Sequence, residues 1–180
     1  LILIKAIDVT SNWQVYAQPA GNNKKLILDD SLAAADTTRF DNTSPTPSVF
    51  TFKDTGITGD IIAYCFQSIS GYQKIGIYEG TGSLGIPVYT TDDGNSTGTN
   101  GFKPSFLLLK AIDGVGAWFL FDNKRNPTNP VNKILEAQYN GPEITTGTIE
   151  IDFETNGFTV NSSNSQLNIA GDFYIFLAIA

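Results

Sequence analysis

Three groups of carboxylates carry the residue types and the spacing that acid–base chemistry needs. They are the adjacent pairs Asp29-Asp30 and Asp92-Asp93 and the alternating trio Glu150, Asp152 and Glu154. Two facing carboxyl groups can hydrolyse a glycosidic bond, one as the acid and one as the nucleophile or base. Because strand residues alternate between faces, the trio shares one face, and Ile149, Ile151 and Phe153 share the other. We therefore predict that the trio is the solvated face of a strand.

Other residue types used in catalysis and metal binding are scarce. The chain has no His and one cysteine, Cys65. Histidine triads, histidine metal sites, intrachain disulfides and thiolate zinc clusters are therefore excluded, whereas a Ser–Lys arrangement stays open. Cys65 lies between Tyr64 and Phe66 in an apolar segment, so we predict that it is a small buried side chain.

Two glycine-containing segments resemble ligand-binding motifs only in part. Asp92-Asp93-Gly94-Asn95 has oxygen ligands of the kind that calcium prefers, but it lacks the spacing of an EF-hand. We predict a polar turn there. The segment 80–85 fits Gly-x-Gly-x-x-Gly, yet Ile86-Pro87-Val88-Tyr89 follows it where a dinucleotide fold needs a helix. We assign no cofactor and no metal site.

The charge balance argues against polyanionic partners. Eleven Lys and Arg stand against eighteen Asp and Glu, a net charge of −7, and the basic residues do not cluster. Nucleic acid and anionic membrane surfaces both need a concentrated positive face, so we expect neither as a partner. The chain also lacks a run of eighteen apolar residues, lacks Met and begins with Leu1-Ile2-Leu3-Ile4. We interpret it as part of a longer or processed polypeptide, with no membrane insertion.

Short apolar runs rich in β-branched and aromatic residues alternate with Gly, Pro, Asn, Asp and Ser clusters, which is typical of strands and turns. The predicted strands are 1–7, 13–17, 25–28, 48–53, 61–67, 74–79, 86–90, 106–112, 117–121, 133–136, 148–153, 157–160 and 172–179. The runs 106–109 and 173–177 are continuously apolar, so we expect central strands covered on both faces. The best helical window, 30–36, allows two turns at most. The predicted fold is an all-β antiparallel sandwich.

An internal duplication is visible at an offset of 105 residues. The segment 1–8 matches 106–113, with identical residues at five positions, and Trp13 falls on Trp118. We therefore predict one sandwich domain over 1–180, built from half-repeat 1–67, a Gly-rich connector 68–105 and half-repeat 106–180. Trp13 and Trp118 suit sugar stacking, but their repeated place in strands favours packing in the core or between the halves.

Aromatic and glycine motifs follow one another in a fixed order from residue 71 onward. They are Gly71-Tyr72-Gln73-Lys74-Ile75-Gly76-Ile77-Tyr78-Glu79-Gly80-Thr81-Gly82-Ser83, Gly101-Phe102-Lys103-Pro104, Trp118 with Phe121-Asp122-Asn123-Lys124-Arg125-Asn126, Asp152-Phe153 with Asn156-Gly157-Phe158, and Phe173-Tyr174-Ile175-Phe176-Leu177-Ala178. This run resembles the concanavalin/SPRY-like, jelly-roll type of β-sandwich domain, of uncharacterised function, in bacteriophage tail-fibre and other virion appendage proteins, especially of marine and cyanobacterial phages. Residues 60–180 resemble it well and 1–59 resemble a weaker copy, whereas 90–100 look like an insertion.

The resemblance implies a non-enzymatic structural and adhesion module on the surface of a virion. It implies assembly as a homo-oligomer, a trimer or larger, together with other virion proteins, but it names no receptor. We expect polar loops to contact a host surface glycan or protein. The expected contact residues are Tyr89, Asp92, Asp93 and Asn95 of the inserted segment. Two alternatives stay open: a carbohydrate-active enzyme or depolymerase, and a cellular surface adhesin or filament subunit.

Overall fold

The computed structural model describes residues 1–53, 57 and 59–180, and its regular structure is almost entirely β-strand. The strands are β1 (Ile2–Ala6), β2 (Gln14–Tyr16), β3 (Lys24–Ile27), β4 (Ala35–Asp36), β5 (Ile61–Cys65), β6 (Gln73–Glu79), β7 (Ile86–Tyr89), β8 (Phe106–Ala111), β9 (Phe119–Asp122), β10 (Lys133–Glu136), β11 (Ile144–Thr145), β12 (Ile151–Glu154), β13 (Gly157–Val160) and β14 (Phe173–Ile179). A single 3-10 turn covers Gln18–Ala20 in the described residues. Within that same part of the chain, we find no helix with the length and apolar character to cross a membrane.

The strands form three antiparallel sheets, which confirms the predicted all-β antiparallel sandwich. The N-terminal sheet has the order β4-β3-β2-β1-β5, and the central sheet has the order β11-β10-β9-β8-β14-β6. The outer sheet has the order β12-β13-β7. β6 and β7 both come from the predicted connector 68–105, so that segment supplies strands to two sheets and is not merely a linker.

The central sheet is covered on both faces, which makes the sandwich three layers deep. One apolar cluster lies between the central and outer sheets and includes Leu107, Leu109 and Phe158. A second cluster lies between the central and N-terminal sheets and includes Leu108 and Val15. Successive residues of β8 therefore enter different clusters, as the period of two requires. The expectation that β8 and β14 are covered on both sides is confirmed.

The face of the N-terminal sheet that points away from the central sheet is covered by an irregular segment, 37–53. Phe50 and Phe52 pack there against a cluster that contains Ile4 and Tyr16. The predicted strand 48–53 is wrong, because this stretch is not a strand. The Thr46 hydroxyl accepts hydrogen bonds from the amides of residues 48 and 49 and turns the chain there. Phe50 and Phe52 therefore contribute to a core from a segment that is not part of a sheet.

Other differences from the predicted elements are small. The window 30–36 contains no helix and ends in the two-residue strand β4. β4 and its short counterpart β11 (Ile144–Thr145) were not among the predicted strands. Two residues are too few to give a periodic signal.

The N-terminal sheet and five strands of the central sheet share one topology. The order β4-β3-β2-β1-β5 is matched by β11-β10-β9-β8-β14, taken strand by strand along the chain. Leu3 pairs with Val15, and Leu108, which lies 105 positions after Leu3, pairs with Leu120, which lies 105 positions after Val15. This parallel supports the predicted duplication; descent of the two halves from one repeat stays a prediction.

β5 lies at an edge of the N-terminal sheet, and its side chains are unusually exposed for so apolar a strand. Ile61, Ile62 and Tyr64 are 41%, 39% and 47% exposed. Cys65 is exposed as well, so the prediction of a buried thiol is wrong. A continuous apolar run indicates a strand, but it does not show whether a neighbouring strand or layer covers it.

Trp118 joins the two related sheets. Its ring is buried in the cluster between them, and its Nε1 donates a 2.7 Å hydrogen bond to the Ile27 carbonyl of β3. Trp13 is half-buried, with its ring centroid 6.0 Å from that of Tyr64. Of the two tryptophans, Trp118 is therefore the one packed between the sheets.

Lys110 is a buried cation on the same face of β8 as Leu108. Its side chain is 0% exposed, and Nζ donates to the carbonyls of Ala111 and Ser31. The Ser31 carbonyl also accepts from the Gly116 amide, so the segment after β3 is held against the β8–β9 turn. Burial lowers the pKa of Lys110 to about 8, although the charge of Asp30 acts in the opposite direction.

We predict that Trp118→Phe destabilises the protein by about 1–3 kcal/mol, since it removes the hydrogen bond to the part-buried Ile27 carbonyl and leaves the cluster underfilled. Trp13→Phe is the matched control, and we expect it to cost about 1 kcal/mol or less because the ring is half exposed. Urea denaturation followed by circular dichroism measures both. Equal costs would contradict a bridging role for Trp118.

We also predict that wild-type stability rises with pH above 8, relative to Lys110→Met. The unfolded Lys110 titrates near 10.5 and the folded one near 8. Between those values the unfolded chain binds more protons, so the free energy of unfolding increases with pH. Urea denaturation at pH 7 and pH 10 tests this, with Lys5→Met as the control at the corresponding position of β1. The same pH dependence in wild type and Lys110→Met would contradict it.

Candidate functional site

The segment 90–101 forms a polar loop between the end of β7 and the entry to β8. Two threonines at its base are buried, Thr90 and Thr91. The Thr90 hydroxyl donates to the Phe102 carbonyl at 2.6 Å and accepts from the Phe102 amide at 2.9 Å. These reciprocal bonds close the loop at its base, so both of its ends are fixed to the sandwich.

Thr91 organises the interior of the loop. Its hydroxyl donates to the Asn95 carbonyl at 2.9 Å, and its carbonyl accepts from the Gly94 amide. Gly98 packs directly above: a Cβ at that position would lie 1.9 Å from Asp93 Oδ1 and 2.7 Å from the Thr91 Cβ. Only glycine therefore fits at residue 98 without displacing Asp93. The loop is compact and holds one shape through its own contacts.

The two aspartates of the loop serve different neighbours. Asp92 Oδ2 accepts from Ser70 Oγ at 3.1 Å and from Asn100 Nδ2 at 2.8 Å, and the Asp92 carbonyl accepts from Lys74 Nζ at 2.7 Å. Asp92 thus binds the loop to the turn and strand that follow β5. Its side chain remains exposed, as do those of Asp93 and Asn95.

Asp93 caps the turn at the loop tip. Its Oδ1 accepts from the Asn95 amide at 3.0 Å, and this bond, with further donors from Asn95 and Thr91, lowers the pKa of Asp93 below its usual range. The carboxylate therefore stays ionised, and the capped turn is present, above the ordinary pKa of an aspartate; the turn weakens as the pH falls through the lowered pKa. Across the described residues, no group of three His, Cys, Asp or Glu side chains is placed to hold a metal ion.

Three of the four predicted contact residues, Asp92, Asp93 and Asn95, lie together on the exposed part of this loop. Tyr89 is half-buried as the last residue of β7, where it pairs with Gly157. The structure thus places Tyr89 at the base of the loop and the other three at its surface. Thr90 and Thr91, which fix the loop, were missed because threonine is common throughout the segment.

The Gly-rich segment 80–85 is held closed by the buried side chain of Asn168. Asn168 Oδ1 accepts from the amides of Thr81 and Gly82 at 2.7 and 2.9 Å. Its Nδ2 donates to the carbonyls of Ser83 and Ser162. The amides that would cradle a phosphate in a nucleotide-binding loop are therefore bonded to a side chain of the protein itself. The spacing in sequence gives no sign of Asn168, which lies more than eighty positions away.

The remaining carboxylate groups have local structural roles. Asp29 Oδ1 accepts from the Trp13 amide at 2.9 Å, and Asp30 Oδ1 accepts from the Leu32 amide at 3.1 Å. In β12, Ile151 and Phe153 are buried, whereas Asp152 is half-buried and bonded to Asn161. The trio lies on the face away from the core, as the alternation predicts.

The whole sequence, residues 1–180, matches a family model described as "Domain of unknown function (DUF7483)". The chain belongs to this family. No curated protein and no solved structure matches the chain. The description of the family assigns no activity, ligand or partner.

We predict that Thr91→Val loosens the loop and leaves the sheets intact. Valine keeps the shape of threonine but cannot donate to the Asn95 carbonyl, and losing one such bond costs about 1 kcal/mol. Hydrogen–deuterium exchange should speed up at the amides of residues 94–98 and stay unchanged in β8 and β14. Thr97→Val, at an exposed position of the same loop, is the control and should change neither. Equal exchange in both variants would contradict the anchoring role of Thr91.

Proposed function

We propose that this domain is a non-enzymatic structural and adhesion module of a phage particle, and that loop 90–101 contacts a host surface glycan or protein. The observation that carries the adhesive role is the combination of a fixed base with an exposed polar tip. The phage setting rests on the resemblance of the motifs between residues 71 and 178 to virion appendage domains.

The fixed loop base favours recognition on energetic grounds. A binding loop that is already ordered loses less conformational freedom when it contacts a ligand. Buried Thr90 and Thr91 hold this loop, and the exposed groups at its tip are carboxylate, amide and hydroxyl groups. Such groups hydrogen-bond well to sugar hydroxyls and to polar protein surfaces. Tyr89 at the base adds an aromatic ring of the kind that packs against pyranose rings.

The charge of the molecule supports the same class of partners. A net charge of −7 repels nucleic acid and anionic lipid and suits neutral glycans, basic patches and other proteins. We place the module on the virion surface, where it assembles with copies of itself and with other virion proteins, and it acts without a cofactor.

The structure offers less support to the rival, a carbohydrate-active enzyme. Asp29 and Asp30 bind backbone amides, and Asp92 and Asp93 accept hydrogen bonds within their own loop and from Ser70. A glycosidase instead needs two carboxyl groups about 5–9 Å apart that face each other across a substrate cleft. The two adjacent pairs are used in turns, and the trio Glu150, Asp152 and Glu154 lies along one face of a single strand segment, where Asp152 accepts a hydrogen bond from Asn161.

We predict that replacing residues 93–98 with two glycines removes binding to bacterial cells and leaves the fold intact. The Asp92 amide donates to the Thr99 carbonyl at 3.0 Å, so the shortened chain closes at an existing contact. The matched control replaces 140–142, a second polar surface turn, with two glycines. Binding of labelled protein to a panel of marine bacteria and to a glycan array measures the effect, with a loss of at least tenfold expected for the 93–98 variant alone.

Full retention of binding by the 93–98 variant would contradict the loop as the contact site. Release of reducing ends from host polysaccharide by the wild-type protein would contradict the non-enzymatic role. Circular dichroism and thermal melting of both variants show whether either replacement has damaged the sandwich.

A further inference from the structure

The two related sheets differ at one edge. In the central sheet, β14 is paired on both sides, with β8 and with β6 over seven residue pairs. Its topological counterpart β5 is paired with β1 alone among the described residues. The position that β6 occupies beside β14 therefore has no equivalent beside β5 in the part of the chain that the structure describes.

The hydrogen bonds between β1 and β5 show which residues of β5 direct their backbone amide and carbonyl toward the open edge. The Phe66 amide donates to the Leu1 carbonyl, and the Ile7 amide donates to the Asp60 carbonyl. Because bonded and non-bonded pairs alternate in an antiparallel ladder, residues 60, 62, 64 and 66 turn their backbone groups to β1. Ile61, Ala63 and Cys65 turn theirs outward.

The edge formed by β6 is protected, in contrast. There the outward amides of Gln73 and Ile75 already donate to the Ile69 carbonyl and the Ser68 hydroxyl. β6 also contains Lys74 and Glu79, and charged residues discourage pairing with another strand. β5 contains no charge, no proline and no glycine. Of these two edges, β5 is the one suited to accept a strand.

The side chains of β5 point to the same conclusion. Ile61 and Ile62 are about two-fifths exposed and Tyr64 is nearly half exposed. Tyr64 lies beside the half-buried Trp13 and extends the apolar surface onto the face of the sheet. Edge strands that stay unpaired in solution are normally guarded by charge, proline or a bulge, and none of these is present here.

We propose that β5 pairs with β5 of a second copy across a twofold axis that passes beside Ala63. In this register Ala63 faces Ala63 of the partner subunit, and Ile62 lies beside Tyr64 of the partner subunit. The three outward residues of each copy then exchange about six backbone hydrogen bonds. The two N-terminal sheets join into one continuous sheet.

A second copy of the chain fits this edge because the strand is complementary to itself. Ala63, the smallest side chain of β5, lies at the axis, and apolar residues meet apolar residues on each side of it. Along the segment of β5 itself, the charge nearest to the axis is Asp60, which lies opposite Phe66 of the partner subunit; Lys5 of β1 pairs with Ile62 on the side away from the partner. The two Asp60 carboxylates are then about 20 Å apart along the strands, at about 3.3 Å for each residue. A net-acidic chain therefore pairs here without setting like charges side by side.

This inference names the assembly contact of the module proposed above, but it rests on the geometry of β5 and not on what the loop binds. The two can fail separately. The 93–98 replacement should still dimerise, and a variant blocked at β5 should keep its affinity for an isolated glycan.

Sedimentation equilibrium and light scattering over 1–200 µM test the pairing. We expect a reversible dimer in the wild type and at least a hundredfold weaker association in Ala63→Pro. Proline removes an outward amide and leaves the ladder with β1 complete, so the variant should still fold. Ile62→Lys should also give a monomer. Ile77→Lys is the matched control, since Ile77 is 41% exposed on the edge strand β6, and it should dimerise like the wild type.

A cross-link tests the register. Cα atoms of a bonded antiparallel pair lie about 5.5 Å apart, within reach of a disulfide. Ala63→Cys in a Cys65→Ser background should therefore form a covalent dimer on mild oxidation. The wild type should not, because Cys65 faces Ile61 of the partner subunit. A wild type that is monomeric or only trimeric, a dimer that persists in Ala63→Pro, or failure of the Ala63→Cys variant to cross-link would each overturn the proposal.

Discussion

The burial of the central sheet on both faces is the constraint on which the rest of the structure depends. Apolar side chains project from both faces of β8 and β14, so another layer of the protein must pack against each face. The outer sheet covers one face and the N-terminal sheet covers the other, and each forms an apolar cluster with it. Removal of either cover would expose a whole layer of aromatic and branched side chains to water, at a cost far above the marginal stability of a domain.

The pattern of apolar residues predicts burial and backbone pairing, and either prediction can fail without the other. Continuous runs correctly marked β8 and β14 as central, because only a doubly covered strand needs apolar residues at every position. The alternation of Phe50 and Phe52 marked burial correctly and pairing wrongly, since an irregular segment can also present alternate side chains to a core. For Cys65 the run marked a strand correctly and burial wrongly. Whether another strand lies beside a given strand depends on the topology of the whole chain, so it cannot be predicted from the apolar residues of that strand.

The position of the candidate site in the sequence could be predicted, but the contacts that hold its loop in shape could not. Glycines and small polar residues between Tyr89 and Gly101 indicate an exposed loop. What fixes that loop is a pair of buried hydroxyls and the bonds from Ser70 and Lys74, which lie about twenty positions upstream. Asn168 closes the segment 80–85 from an even greater separation. Polar residues of this kind are brought together by the tertiary structure. Because each is a single residue, they form no periodic pattern that the sequence could show.

The loop and the open edge of β5 are joined through one short segment. Residues 66–72 connect β5 to β6, and Ser70 of this segment binds Asp92 of the loop. In the proposed twofold pairing the carboxyl ends of the two β5 strands point away from each other, so the two loops lie at opposite ends of the joined sheet. A single flat surface then engages one loop of each dimer. In the proposed adhesive role, avidity for a host surface would come from several dimers arranged along an appendage, because many weak polar contacts together give a useful total affinity.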